Sequence, residues 1–253
     1  MKNNLLILFL ISIFFLFSEN KIYADDLVFN TPEIKILNNG NTIATKDGTV
    51  TSGDNKIQLD AKSFNYDKTT EILVAKNGTA LLVGEKIEIK ANKFVYNKNL
   101  SIIEATGNVK INDLIKKVTI DTQKISYFDL EQIIKSETKS TIQDNFNNFF
   151  TTNNFEYTLS NNLIKITNAK LVDVEKNKIN IEKGYINLLS GKLIGKDILI
   201  NFNNSNFEKN NEPRLKGNTV VSNGEETIVK KGVFTTCRKN DDCPPWQFLA
   251  EEI

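Results

Sequence analysis

Between Ile57 and Ile111 apolar residues occupy alternate positions, and the alternation changes phase at regular places. Ile57, Leu59 and Ala61 are odd-numbered, whereas Phe64 and Tyr66 are even-numbered. In a strand, successive side chains point to opposite faces, so all five face inward only if the chain turns a corner at Lys62 and Ser63. The same phrase returns as Ile87, Ile89, Ala91, Phe94 and Tyr96, with its corner at Asn92 and Lys93. A weaker third copy reads Val118, Ile120, Thr122, Ile125 and Tyr127, with its corner at Gln123 and Lys124. The offset is 30 residues from Tyr66 to Tyr96 and 31 from Tyr96 to Tyr127. Periods of this size mark stacked supersecondary units that cannot bury their apolar face alone. The back half of the unit, Ala75, Gly78, Ala80 and Leu82, is answered by Ala105, Gly107, Val109 and Ile111. That shortens the offset to 29 at the glycine and implies one residue lost just before it. A bulge or bend in each unit would restore the inward face. Polar turns follow at Asp67 to Thr70 and at Asn97 to Asn99.

The flanks continue this pattern less clearly. From Leu27 to Asp54, short alternating runs surround Asn39-Gly40, a hairpin signal, and Gly48 takes the place of Gly78 and Gly107. These strands are expected at the edge of the sheet. After Ile142 the copies blur into an aromatic cluster of Phe146, Phe149, Phe150, Phe155 and Tyr157. Leu163, Ile164, Ile166, Ile179, Ile181, Tyr185 and Ile186 then return to alternation. The expected fold is all-β, built of repeated short antiparallel strands with one wet and one apolar face. Phe64, Tyr66, Phe94, Tyr96 and Tyr127 all project into the interior. Plain core packing accounts for them, at roughly 1.5 to 3 kcal/mol for each large side chain buried. A lipid-lined groove would use the same residue types.

Composition narrows the setting. The chain has 253 residues, 40% hydrophobic and 25% charged, a globular balance sufficient for one large β domain or two small ones. Its Lys, Asn and Ile bias is what an AT-rich genome produces, so the Asn-rich stretches carry no functional weight. Residues 1–24 read as a secretory signal, with basic Lys2, an apolar run from Leu5 to Phe17 and a cleavage site at Tyr23-Ala24; a retained anchor is the alternative. The apolar run is too short for a helix spanning about 30 Å of hydrocarbon. The mature domain is then 25–253, with 25–55 as its edge strands. Without residues 1–24 the formal charge falls from +1 to 0, which disfavours a nucleic-acid partner.

Candidate chemistry is sparse. There is no histidine, which removes the Ser-His-Asp and Cys-His systems and the usual zinc sets. The run from Gly78 to Lys86 lacks phosphate-loop spacing and no helix follows it. Carboxylates alternate along strands as a solvated face should, and none is marked as a glycosidase pair. Asp241 and Asp242 read as a polar loop tip. Cys237 and Cys243 are the only cysteines; in an exported protein they would form a local disulfide, worth roughly 2 kcal/mol on the chain-entropy model, or pair with cysteines absent from this chain. No catalytic residue, metal or cofactor is expected, and the chain reads as a binding or conduit protein.

The phrase Ala61, Phe64, Tyr66, Asp67, followed by an apolar-Ala pair and a glycine, resembles the OstA-like β-jelly-roll repeat of the lipopolysaccharide transport proteins. The periplasmic bridge component LptA, the inner-membrane LptC and the amino-terminal domain of the outer-membrane LptD share that repeat. Three later phrases resemble the end of the LptD jelly roll before its barrel: Gly195 to Phe202, Asn211 to Asn218 and above all Lys231 to Ile253. The resemblance implies a twisted jelly roll with an open-ended apolar interior, exported to the periplasmic face of the outer membrane, with 231–253 leading toward a barrel absent from this chain. It implies that lipopolysaccharide acyl chains ride on Phe64, Tyr66, Ile87, Ile89, Phe94, Tyr96, Val109, Ile120 and Tyr127. Burial of a dozen methylenes at about 0.8 kcal/mol each would supply about 10 kcal/mol. The implied partners are lipopolysaccharide, an LptA-like bridge protein docking by β-augmentation on the strands around Leu27 to Val50, and an LptE-like lipoprotein where a barrel is present. In the family, cysteines of this domain can pair with the barrel's; the close spacing here favours Cys237 with Cys243. An LptA-like bridge is the alternative within the family, and a secreted β-fold carbohydrate enzyme is the alternative outside it.

Overall fold

A computed structural model describes residues 27–203, 207–208, 211–223, 226–238 and 246–253. The expected signal segment lies outside them. The described residues form an 18-stranded sheet in which every pairing is antiparallel. In chain order the strands are β1 (Val28–Asn30), β2 (Glu33–Leu37), β3 (Thr42–Thr51), β4 (Ile57–Asp67), β5 (Ile72–Leu82), β6 (Ile87–Asn97), β7 (Ile102–Asp113), β8 (Val118–Phe128), β9 (Ile133–Ser136), β10 (Ser140–Gln143), β11 (Phe149–Thr152), β12 (Asn154–Thr158), β13 (Leu163–Val172), β14 (Lys178–Asn187), β15 (Leu193–Asn201), β16 (Arg214–Ser222), β17 (Thr227–Thr235) and β18 (Phe248–Glu252).

Each long strand is bent once, at the place where its apolar alternation changes phase. In β4 the buried residues are Ile57, Leu59 and Ala61, then Phe64 and Tyr66; β6 and β8 repeat this with the bend at Asn92 and Gln123. The bend is made by the partner strand, where Asp47, Asn77 and Asn108 hold φ of 45°, 54° and 50°. Asn168, Asp197 and Lys231 do the same in β13, β15 and β17. Asn and Asp tolerate this left-handed region better than other residues with a Cβ. Gly78 is fixed by proximity, since a Cβ there would lie 2.2 Å from the carbonyl oxygen of Asp60.

The bend divides the sheet into two limbs. Where a strand pair breaks at the bend, two short strands serve as one long one: β1 pairs with one half of β3 and β2 with the other. In the same way β9 and β10 share β8, and β11 and β12 share β13. Residues of both limbs belong to one hydrophobic core, so the limbs face each other across a shared interior.

One difference from the sequence alignment concerns β7. Ile111 pairs with Ile89, and Ile89 pairs with Ala80 on its other side, so Ile111 answers Ala80 and not Leu82. The strand has gained a residue at Gly107-Asn108 instead of losing one, and the register shifts there on both sides. Gly48 and Gly78 both pair with Ala61, but Gly107 lies outside that row. Asp113 thereby comes to stand opposite Ile87, as Leu82 does.

The edges are narrower than the whole stretch 25–55. Among the described residues β1 and β2 are paired on one side only, whereas β3 is paired on both; β18 is the other edge. All of β2 is exposed.

Candidate functional site

Across the first limb one inward row is apolar in unbroken register from edge to edge. It runs from Phe29 through Val50, Leu59, Ala80, Ile89, Ile111, Ile120, Ile142, Phe150 and Leu171 to Ile179, Ile200, Leu215 and Phe234, and ends in register on Phe248, which is exposed. Cross-strand neighbours in such a row touch directly, which makes the row and not the single strand the packing unit. On the second limb a facing row alternates tyrosine with aliphatics: Tyr66, Leu73, Tyr96, Ile103, Tyr127, Ile134, Tyr157 and Ile164.

All nine residues expected to meet acyl chains lie on these limbs and face inward. Their exposure runs from 0 % at Phe94, Ile87, Ile89 and Ile120 to 9 % at Tyr66, with Phe64, Tyr96, Val109 and Tyr127 between. They fill the interior they line. A cavity of about 10 Å³, room for one water, touches the row near the β1 end beside Leu27, Val50, Leu59, Leu73, Tyr96 and Ile103.

The tyrosines mark the seam where the limbs' free margins meet. The ring of Tyr66 lies 6.1 Å from that of Phe29 on the opposite limb. Tyr157, in β12, donates its hydroxyl to Asp113 Oδ2 at 2.6 Å, joining limbs whose residues are 44 apart in sequence. Asp113 also accepts the ammonium of Lys116 at 3.2 Å, and that ammonium lies 3.9 Å from Glu85 and 5.8 Å from the Tyr157 ring centroid. Asp113 is 2 % exposed and Lys116 is 7 %, so the pair is buried. Asp113 Oδ1 takes the backbone N–H groups of Ile115 and Lys116, which satisfies the rest of the carboxylate. Tyr127 donates to Asp129 at 2.8 Å and accepts from Gln132 at 2.9 Å. Burial first, and then the carboxylate each tyrosine donates to, pushes the Tyr127 and Tyr157 phenols far above the ordinary tyrosine value.

Sequence reading found Tyr66, Tyr96 and Tyr127 but left Tyr157 in an undivided aromatic cluster. The 30-residue step from Tyr127 to Tyr157 was the signal that would have placed it. Asp113 carried no such signal, because its position depends on the extra residue in β7.

Cys237 is a buried free thiol, with Sγ 3.6 Å from the Trp246 carbonyl oxygen. Its expected partner Cys243 lies outside the described residues, as do Asp241 and Asp242. The surrounding segment is held by the Arg214 guanidinium on the Cys237 carbonyl and by a run of rings, Phe202, Phe234 and Trp246, with centroids about 6 Å apart. Among the described residues no helix is long and apolar enough to cross a membrane, which leaves crossing by strands untouched.

No protein-family model matches the chain, and no curated protein sequence does. Among solved structures it is similar to LptH of Pseudomonas aeruginosa, described as the LptA homologous periplasmic component of the lipopolysaccharide transport device. That similarity has 11% sequence identity and a TM-score of 0.24, over 54% of this chain and 78% of that one.

Proposed function

We propose that this chain is a non-catalytic carrier in lipopolysaccharide transport, taking acyl chains between its limbs and passing them along the sheet toward the outer membrane. The observation that supports this best is the apolar row from Phe29 to Phe248, which offers an acyl chain the same surface at every step. Buried area then stays nearly constant as lipid advances, so no position traps it. The resemblance of Lys231 to Ile253 to the end of the LptD jelly roll favours an LptD-like protein over an LptA-like bridge, with an LptE-like lipoprotein as a further partner. The exposed edge formed by β1 and β2 is the proposed docking strand for a bridge protein. Because the interior is filled, entry of lipid requires the limbs to part at the tyrosine seam. Photo-crosslinking residues at Phe94 and Tyr96 are expected to capture lipopolysaccharide, while one at outward Lys90 is not; capture at Lys90 alone would sink the carrier reading.

A further inference from the structure

The outer face along the bend has a composition of its own. Lys46, Ser63, Lys76, Lys93, Thr106 and Lys124 stand directly opposite one another on consecutive strands. From β13 the row resumes as Thr167, Lys183, Lys196, Thr219 and Lys230. Neither run contains an acid, although the chain balances 32 basic against 31 acidic residues. Lys76 faces Lys93, and Lys183 faces Lys196; like charges directly opposite destabilise a sheet. Glu104 offsets Lys124 at 3.3 Å and Glu252 offsets Lys230 at 3.9 Å. Glu33 stands opposite Lys46 but its carboxylate meets Lys35 at 3.3 Å, and Asp60 across the bend is engaged by the Thr49 hydroxyl. Among the described residues Lys46, Lys76 and Lys93 have no carboxylate within ion-pair distance.

This run begins in a concavity of about 310 Å³, at the lower end of the roughly 300 to 1,000 Å³ usual for ligand pockets. Ala44 and Val74 give it an apolar floor, and Lys35, Lys46, Lys76, Ser63 and Asn65, together with Glu33, whose carboxylate is engaged by Lys35, a polar rim with a net positive charge. Thr45 also lines it, and the Thr45 hydroxyl is buried without a hydrogen-bond partner.

We infer that this concavity and the lysine row leading from it bind a linear glycan carrying carboxylate or phosphate groups. The apolar floor suits the face of a sugar ring, and the rim supplies donors to its anionic substituent. Strands about 4.8 Å apart set lysines at one- and two-strand intervals for the charges that follow. Adjacent strands rotate by about 20 to 25°, so the run from Lys46 to Lys124 turns through about 100° or more. A flat anionic bilayer meets only part of such a row, whereas a flexible linear chain follows all of it. The site lies on the outer face, away from the interior, and is independent of the lipid reading.

The test measures binding of the whole chain to polygalacturonate, to the delipidated phosphorylated oligosaccharide of lipopolysaccharide, to neutral dextran and to phosphatidylglycerol vesicles. At least one of the two anionic glycans should bind and dextran should not; which one binds distinguishes a carboxylated polymer from the glycan of lipopolysaccharide. The triple variant K46Q/K76Q/K93Q should lose about tenfold in affinity and flatten the salt dependence. K46R/K76R/K93R should retain binding, which keeps the test decisive if the glutamine variant folds poorly. A control at lysines outside both the concavity and the row, K56Q/K86Q/K192Q, should change affinity less than about twofold on the same counterion argument. Equal loss in that control, equal binding of dextran, tighter binding of vesicles than of either glycan, or binding of neither glycan would each overturn the assignment.

Discussion

In the ladder Ile57, Leu82, Ile87, Asp113, Val118, a carboxylate takes a place that branched alkyl groups hold on either side. A buried charge is tolerated only when its lone pairs are matched, and here Tyr157, Lys116 and two backbone N–H groups match them. Removing one partner should therefore cost more than removing all. Tyr157→Phe leaves the phenol's share of the carboxylate unmet and is expected to destabilise by about 1.5 to 3 kcal/mol in denaturant titration. The combined change D113L/K116M/Y157F replaces the polar cluster by apolar volume and should be neutral or stabilising by about 1 to 4 kcal/mol; a triple less stable than Y157F alone would contradict this. The two buried tyrosines also set a pH dependence. Their folded-state pKa values are raised above the ordinary value of 10.0, so their contribution is complete below pH 10 and is lost as pH rises beyond it, when the unfolded chain ionises first. Melting temperature should fall above pH 10 in the wild type and fall less steeply in a Tyr127→Phe, Tyr157→Phe double variant.

At the level of strands, the device that shapes the molecule is the left-handed residue in alternate strands, followed in β3, β5, β13 and β17 by a residue small enough to let the partner backbone approach: Gly48, Gly78, Ala169 and Gly232. Gly78→Ala adds a Cβ against the Asp60 carbonyl and should cost at least about 2 kcal/mol, with loss of both the β4 and β6 pairings under hydrogen exchange; an unchanged midpoint would show that the bend can relax. The bends at Lys62, Asn92 and Gln123 were legible because a strand buries one face, so a phase change in apolar residues has to be a change in the chain's direction. The bulge in β7 was not, because Val109 and Ile111 fit either register and only pairing with β6 and β8 decides between them. Beyond Ile142 legibility failed for a related reason. The strands from β9 to β12, on both sides of Ile142, are interrupted at the bend by Glu137 to Lys139 and by Asn153, and short pieces of four or five residues carry too little alternation to read. Buried hydroxyls of Thr122, Ser136, Ser140 and Thr152 close those gaps by bonding one another and nearby carbonyls, so apolar periodicity is lost where polar bonding takes over.

Over the whole molecule, a sheet folded along its bends has one margin that can open, because the limbs are continuous through the bend and, among the described residues, meet by side chains and not by backbone hydrogen bonds at the other side. Parting that margin exposes the apolar rows lengthwise, while the backbone ladder of each limb stays intact. Besides the apolar packing of the facing rows, which an entering acyl chain must replace, the contacts that close the margin are of two kinds. Near β1 they are apolar, Tyr66 on Phe29; at mid-length they are the Asp113 and Tyr157 bond with the Lys116 ammonium beside it. Hydrogen bonding there gives the closed state a defined register at a modest net strength, on the order of 1.5 to 3 kcal/mol for a bond to a charged group. An acyl chain gaining about 0.8 kcal/mol per buried methylene outweighs this polar closure within a few carbons, provided that it also covers the apolar surface uncovered as the facing rows separate. The carrier reading therefore requires that lipid enters through this margin and not by threading from an end. In a D113C/Y157C variant with Cys237 and Cys243 changed to serine and a photo-crosslinker at Phe94, a short cleavable bismaleimide joining the two introduced cysteines should abolish capture of lipopolysaccharide, and cleaving the linker should restore it. The unlinked variant must still capture, since its margin is weakened and not sealed. Capture that persists with the linker in place would place entry at the ends of the sheet, beside β1 or β18, and leave the seam a structural closure only.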